Sequence, residues 1–441
     1  MKIPLSGREA DRAFRQKGLT VLNKKVPLGA TLALIIIAMA LTVSVTMVVA
    51  MRYFNSNVSA LAQKQNMYDS IADVDTAVRQ QYTLDEEKLR EALARGYISS
   101  VGDPYAAFLT ADEYKKAQDV LAGNSTGFGI DMTLSAEGQA VITRIHRDSA
   151  ADKAGMQVGD VMTALDGTAV TAENFASLQS KLDTATKVMV TVSRAGASKA
   201  YELTASPYAL VSVEEKVIGS VGYIRILAFH ENTVDQFKSA YSALEEEGVS
   251  SYVFDVRNND GGSLDAATAV IAYLMPRGRY AAMVSHAGEV TEFISEGTHS
   301  LSLPATVLVN SRTAGEAELF AGALQQFELA TVVGETTAGK ARVQQYFPLK
   351  TDNAALKLSV GELQWLTGES FQDKGIVPGL EVSLEKGQEA YLDLLTQEQD
   401  AQLQQALILL GGNTQTTPST STTTGTQTTT GGQTTTGGTT T

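Results

Sequence analysis

The chain has 441 residues, of which 44% are hydrophobic, a formal net charge of −14 and no cysteine. That length holds two or three domains with real cores, the acidic body argues against nucleic acid as a main partner, and the missing cysteines exclude disulfides, thiolate catalysis and cysteine-based zinc sites. The four histidines, His146, His230, His286 and His299, are scattered without metal-ligand spacing and read as surface or locally bonded residues, so no metal and no cofactor is expected.

Residues 1–25 form a basic segment, with seven Lys/Arg against Glu9 and Asp11. Leu28 to Met51 is apolar and uncharged, long enough to span a bilayer. The basic flank predicts a cytoplasmic N-terminus and an exported body, hence a single-pass protein of the cell membrane. An uncleaved anchor is the expectation and a cleavable signal peptide the alternative, since Val58-Ser59-Ala60 weakly resembles a cleavage site. Asn55 to Asn66 reads as a polar connector. The region 67–120 reads as helical and as packing rather than chemistry. Thr83 and Glu86 have capping-box spacing ahead of a helix through Leu89, Leu93 and Tyr97; Asp103-Pro104 marks a turn, and Thr110-Ala111-Asp112-Glu113 opens a second helix.

Three cues in order mark residues 123–207. Gly127-Phe128-Gly129-Ile130 matches a carboxylate-binding loop, Ser149 to Met156 with Val158-Gly159-Asp160 has the look of a domain core, and Asp166-Gly167 supplies a hairpin turn ahead of a strand at Val188 to Val192. Together they resemble a PDZ domain. In such domains glycines free successive backbone N–H groups to meet a terminal carboxylate, and the bound peptide adds a strand to a sheet edge. A helix over Ala172 to Leu182 is expected to form the other wall, with Phe175 and Leu178 as side-chain contacts. Another reading makes Phe128 and Ile130 core residues beside a turn.

Beyond residue 207 the pattern changes to strand Val221 to Leu227, amphipathic helix Thr233 to Glu247 and strand Ser251 to Val256, which fits a layered α/β domain over residues 208–395. A further apolar run, Thr306 to Val309, reads as a buried strand, with a turn at Asn310 to Ala314 and a helix from Glu316 to Phe327. That layout places Gly315 at a strand-to-helix turn. There a side chain is presented to a cleft, and N–H groups at the helix start can stabilise an oxyanion.

The turn Thr313-Ala314-Gly315-Glu316-Ala317-Glu318, the later Gly339-Lys340-Ala341-Arg342-Val343-Gln344 and the loop Asp255-Val256-Arg257-Asn258-Asn259-Asp260-Gly261-Gly262 resemble motifs of the C-terminal processing peptidases, or tail-specific proteases. The resemblance covers about Met67 to Leu380, including the segment ahead of the PDZ region and the closing turn Lys374 to Gly379. It implies that Lys340 is the general base, Gln344 the residue that orients it and Gly315 the position of the catalytic serine. It also makes Gly261 or Gly262 and the N–H of Glu316 the oxyanion donors, and Gly127, Phe128, Gly129 and Ile130 the peptide-binding residues. The sequence departs from the pattern at Gly315, at Asp260, where proline is usual, at Glu316, where a small residue is usual, and at Gly379, which stands for an acid.

Glycine has no side chain to attack with, and a lysine base needs a hydroxyl to activate. The chain is therefore expected to be a multidomain α+β or α/β protein made of a transmembrane helix, a β-rich PDZ domain and a layered α/β peptidase-like core. Residues 411–441, rich in Thr and Gly and without charge, read as a disordered tail, either a glycosylated stalk or cell-wall spacer or a plain flexible end. The expected role is to bind C-terminal or unfolded segments of exported proteins as a scaffold or regulator with impaired catalysis, alone or in a homo- or hetero-oligomer. The alternative is an active serine endopeptidase acting near the C-termini of exported proteins.

Overall fold

A computed structural model describes residues 28–411. These fall into two compact units that divide between Arg90 and Glu91. The basic segment 1–25 and residues 412–441 of the tail lie outside the described residues.

In the first unit, helix α1 runs from Leu28 to Arg79 without a break. The expected polar connector at 55–66 is thus helical. Polarity alone does not end a helix, and no glycine or proline occurs between Arg52 and Arg79 to break this one. The apolar stretch Thr31–Phe54 is long enough to cross a bilayer. Helix α2, Glu86–Ser99, begins at Asp85, whose carboxylate accepts the Glu87 and Lys88 N–H groups at 3.2 Å. The cap is therefore Asp85 and not Thr83, two residues too early to reach those donors.

The second unit, which begins within α2, continues with strand β1, Ala107–Leu109, and helix α3, Ala111–Leu121, which opens at Thr110 as expected and is closed there by a Thr110/Glu113 capping box. β2, Asn124–Gly127, pairs with β9, Ser206–Ala209. Between them lies a six-stranded sheet of β3 (Ile130–Leu134), β4 (Ala140–Ile145), β5 (Val161–Leu165), β6 (Thr168–Ala169), β7 (Lys187–Arg194) and β8 (Ala197–Thr204), with the short helix α4 (Ala150–Ala154) and helix α5 (Phe175–Thr184). β3 is an edge strand of this sheet. Asp166 and Gly167 both take positive φ in the β5–β6 turn, as the sequence predicts.

The core follows: β10 (Val213–Ile218), β11 (Val221–Ile226), α6 (Thr233–Glu246), β12 (Ser251–Asp255), α7 (Leu264–Leu274), β13 (Gly278–Ser285), β14 (Val290–Ser295), β15 (Ala305–Val309), α8 (Glu316–Gln326), β16 (Thr331–Gly334), β17 (Arg342–Pro348), β18 (Ala355–Trp365), β19 (Leu380–Glu381), a 3-10 helix at Gln388–Leu394 and α9 (Ala401–Leu409). β11, β12, β15, β16 and β19 are parallel, with β10 antiparallel at the edge. Alternation on these strands feeds both faces. Tyr252, Phe254, Val307 and Val309 join the core under α6, α7 and α8, while Val253 and Leu308 pack with Leu403, Ala406 and Leu407 of α9. A second, antiparallel sheet has β1 at its edge on β18, so the segment expected to be only helical adds a strand to the core.

Where the PDZ sheet meets the core, Arg144 pairs with Asp131 at 2.6 Å and with Glu214 of β10 at 2.7 Å, and buried His146 accepts the Val211 N–H. The 3-10 helix Gln388–Leu394 packs against β3.

Candidate active site and peptide groove

Parallel α/β sheets place their sites beyond the carboxyl ends of the strands. Three loops converge there: residues 256–263 after β12, 310–315 after β15 and 335–341 after β16. Hydrogen bonds cross between them. Thr313 Oγ1 donates to the Val256 carbonyl at 2.9 Å, Ala314 N–H to the Asn259 carbonyl at 2.9 Å, and Asn258 and Asn310 bond each other twice.

The first loop is anchored from below. Arg257, fully buried, pairs with Asp255 and with Asp400 at the N-cap of α9, and also donates to Gln402. Burial works to raise the Asp255 pKa, but the Arg257 charge and its hydrogen bonds outweigh that and hold the carboxyl below its ordinary value. Asn259 then shapes the turn, donating to the Ile226 carbonyl and accepting the Gly261 N–H at 2.9 Å. Of the two candidate glycines, Gly261 commits its N–H to Asn259, and the Gly262 N–H points into the cleft toward Glu316.

Gly315 caps α8 with φ 63° and ψ −123°, a conformation that strains any residue with a Cβ. The strand-to-helix elbow is therefore present in backbone form. Space is present too: a Cβ at 315 would meet its nearest neighbours, the Asp260 carbonyl oxygen and Gly261 Cα, at 3.5 and 3.7 Å. Thr313, two residues away, has its hydroxyl buried and bonded to the Val256 carbonyl and to Asn310, turned away from the position of a nucleophile at 315.

Glu318 is the residue whose importance sequence reasoning missed. Buried completely, it accepts the N–H of Gly315 (2.9 Å), Gly339 (2.6 Å) and Lys340 (2.7 Å) and the hydroxyl of Thr337 (2.5 Å). One carboxylate thus clamps the elbow to the lysine-bearing loop. The closing turn holds that loop from the other side, through Ile376 N–H on Thr337 Oγ1 and Asp373 N–H on the Gly339 carbonyl.

Lys340, Gln344, Gly262, Asp260 and Glu316 share one cleft of about 460 Å³ with Lys357. Lys340 Nζ makes no hydrogen bond or ion pair with a described residue; it lies over the Tyr105 ring, 5.3 Å from the centroid. The segment expected only to pack therefore touches the candidate base. Gln344 donates to the Arg342 carbonyl at 2.6 Å, so it lines the cleft without bonding Lys340. Lys357, on β18 and outside any motif, is half-buried. Burial, helped by the charge of Lys340, pushes its ammonium pKa down. Glu316 is buried, and its Oε2 accepts the Gly262 N–H at 2.9 Å. Burial raises its pKa, against the Gly262 and its own N–H groups and the charges of Lys340 and Lys357.

The second site is a smaller pocket of about 160 Å³ lined by Gly127 to Ile130, Lys116, Leu182 and Tyr208 among others. Gly129 has φ 72°, and a Cβ there would fall 2.2 Å from Ser149 Cβ, so only glycine fits. The N–H groups of Phe128 and Gly129 have no hydrogen-bond partner among the described residues. The Phe128 side chain belongs to the PDZ core, with Phe175 and Leu178 packed on it. The two helix residues expected to touch peptide are half-buried against that core, and Leu182 of the same helix lines the pocket.

The model of peptidase family S41 matches residues 220–382, and a PDZ domain model matches 141–194. A "probable CtpA-like serine protease" of Staphylococcus aureus is 30% identical over 367 residues, covering 80% of this chain and 73% of that protein. The carboxy-terminal processing protease CtpB of Bacillus subtilis is 28% identical over 334 residues, covering 73% and 69%. A carboxy-terminal-processing protease of Bartonella bacilliformis is 31% identical over 337 residues, covering 72% and 76%. Among solved structures, a putative S41 protease from Bacteroides fragilis shares the fold, with a TM-score of 0.54 at 19% identity over 75% of this chain and 92% of that one. The chain belongs to the carboxy-terminal processing protease family, and its α/β architecture combines a PDZ domain with an S41 peptidase domain.

Proposed function

We propose that this chain is a membrane-anchored, exported member of its family that captures protein C-termini in its PDZ groove and has lost normal serine-peptidase catalysis. The observation that carries this reading is Gly315: the elbow, the adjoining space and the lysine loop are in place, and the attacking hydroxyl is not. Lys340, Gln344, Gly262 and the Glu316 N–H are in this reading the remnants of base, orienting amide and anion hole. The Phe128 and Gly129 N–H groups would solvate a terminal carboxylate, while β3, at the edge of its sheet, would pair with the peptide. The apolar stretch Thr31–Phe54 would be the anchor, with the basic segment 1–25 in the cytoplasm. The substrates so bound would be C-terminal or unfolded segments of exported proteins.

The names of the relatives favour the alternative, an active endopeptidase that processes exported proteins near their C-termini. One experiment separates the two readings. Full-length protein in detergent is offered a fluorophosphonate and denatured casein. No labelling and no cleavage is the expected outcome; cleavage that disappears in Lys340→Ala would establish the endopeptidase instead.

A further inference from the structure

A buried carboxylate needs donors or a cation, because leaving its charge unsolvated costs several kcal/mol or more. Glu316 makes no ion pair with a described residue. Its solvation comes from the Gly262 N–H at 2.9 Å and from its own N–H at the start of α8, with the charges of Lys340 and Lys357 at longer range. Oε2 also lies so close to the face of Gly261 that a Cβ there would meet it at 2.2 Å. These donors are the ones that, in a working peptidase of this layout, face the oxygen of the scissile carbonyl as it gains charge.

We propose that the Glu316 carboxylate is the resident occupant of the anion hole, a tethered substitute for the oxyanion that closes the hole to a substrate carbonyl or a small carboxylate. The inference rests on the reading of this cleft as a degenerate peptidase centre. It adds a second and separate block to catalysis, because restoring a hydroxyl at 315 leaves the hole filled. Tethering makes the block strong: the side chain starts from the residue that supplies one of the donors, so an outside anion competes with a ligand at high effective concentration. Removing the side chain leaves the Gly262 N–H and the 316 N–H facing the cleft with Lys340 and Lys357 nearby, which is a binding site for a carboxylate.

The test reads the hole directly. Full-length protein in detergent, labelled with 15N-glycine, is titrated with formate while the Gly262 amide resonance is followed. In the unmodified chain that resonance should not respond, and in Glu316→Ala it should move and saturate. Glu316→Gln, which keeps the size of the side chain, should by itself shift the Gly262 amide as the charge-assisted bond becomes a neutral one. A Gly262 amide that titrates equally in the unmodified chain and in Glu316→Ala overturns the proposal, as does one indifferent to both substitutions. A second arm compares Gly315→Ser with Gly315→Ser/Glu316→Ala. The double variant should react with a fluorophosphonate at least about tenfold faster, since an oxyanion donor is worth that much or more; equal, measurable rates overturn the proposal. Should neither serine variant react, the amide titration decides alone. Failure of the underlying reading has a different signature, Lys340-dependent cleavage of casein by the unmodified chain.

Discussion

The cleft beyond the core strands and the pocket of the PDZ domain carry their chemistry on different parts of the chain. In the cleft the reacting atom belongs to a single side chain, and the scaffold around it is held by Glu318, Asn259 and Arg257, none of which needs that atom. On the proposed reading, a substitution at 315 deletes chemistry while this scaffold stays in place. At the PDZ loop the groups we propose to bind a terminus are main-chain N–H groups, positioned by a glycine that no other residue replaces. There binding and folding are lost together or kept together. One region can decay silently and the other cannot.

The comparison is broken most forcefully by attacking the scaffold of the cleft. Arg257→Ala strands the buried carboxylates of Asp255 and Asp400, and breaking a buried pair from one side costs about 3–5 kcal/mol. Urea unfolding of the full-length chain should show that loss at neutral pH. The Asp255 pKa is depressed in the fold, so its contribution is present above the ordinary carboxylate range and disappears as pH falls through the depressed value. The gap between the two chains should narrow accordingly in acid.

The PDZ region answers to the ligand rather than to a side chain of its own. Amidating the terminus of an apolar C-terminal peptide removes the charge that the Phe128 and Gly129 N–H groups would solvate, a loss of about 1.5–3 kcal/mol, or roughly tenfold to more than a hundredfold in Kd. Calorimetry with paired free and amidated peptides measures it, and equal affinities would end the terminus-reading proposal. Phe128→Asp is a poor probe of this groove, since its carboxylate would enter the PDZ core.

Gly315→Ser sharpens the contrast between space and strain. The Cβ has room, yet φ 63° with ψ −123° penalises it, so the variant should lose about 1–3 kcal/mol of stability with no new clash to relieve. Thermal unfolding of Gly315→Ser and Gly315→Ala should give similar losses, because the penalty comes from the backbone and not from the hydroxyl.

Much of this was legible in the sequence, for reasons that differ by residue. The strand at 305–309, the elbow at Gly315 and the glycines at 127–129 and 261–262 are local features, each set by a few neighbouring residues. Asp400 lies 143 positions from Arg257, and nothing local announces the pair. Lys357 reaches the cleft only because β18 crosses beside β1 and β17. Glu318 was visible in the turn, but its partners at 337–340 belong to another loop, so its clamp appears only when the loops are brought together. In the sequence Glu316 is only a departure from the family pattern, at a position where a small residue is usual. The direction of its side chain, which decides the chemistry, is a tertiary fact.

The smallest effect concerns that same carboxylate. Burial raises the Glu316 pKa above its ordinary value, so the folded chain disfavours the ionised form relative to the unfolded chain. Below about pH 4.3, the ordinary range, the group is neutral in both states and costs nothing. As pH rises through its raised value in the fold, the protein progressively loses stability to the buried charge. Glu316→Gln is neutral at every pH and keeps an oxygen for the Gly262 N–H. It should therefore match the unmodified chain in acid and exceed it at neutral pH, by something on the order of 1 kcal/mol. Thermal unfolding of both chains across pH 4 to 8 checks the sign. Curves that stay parallel throughout would mean that the carboxylate does not titrate with folding, and a Gln variant less stable at neutral pH would mean that Lys340 and Lys357 make the charge a net gain to the fold.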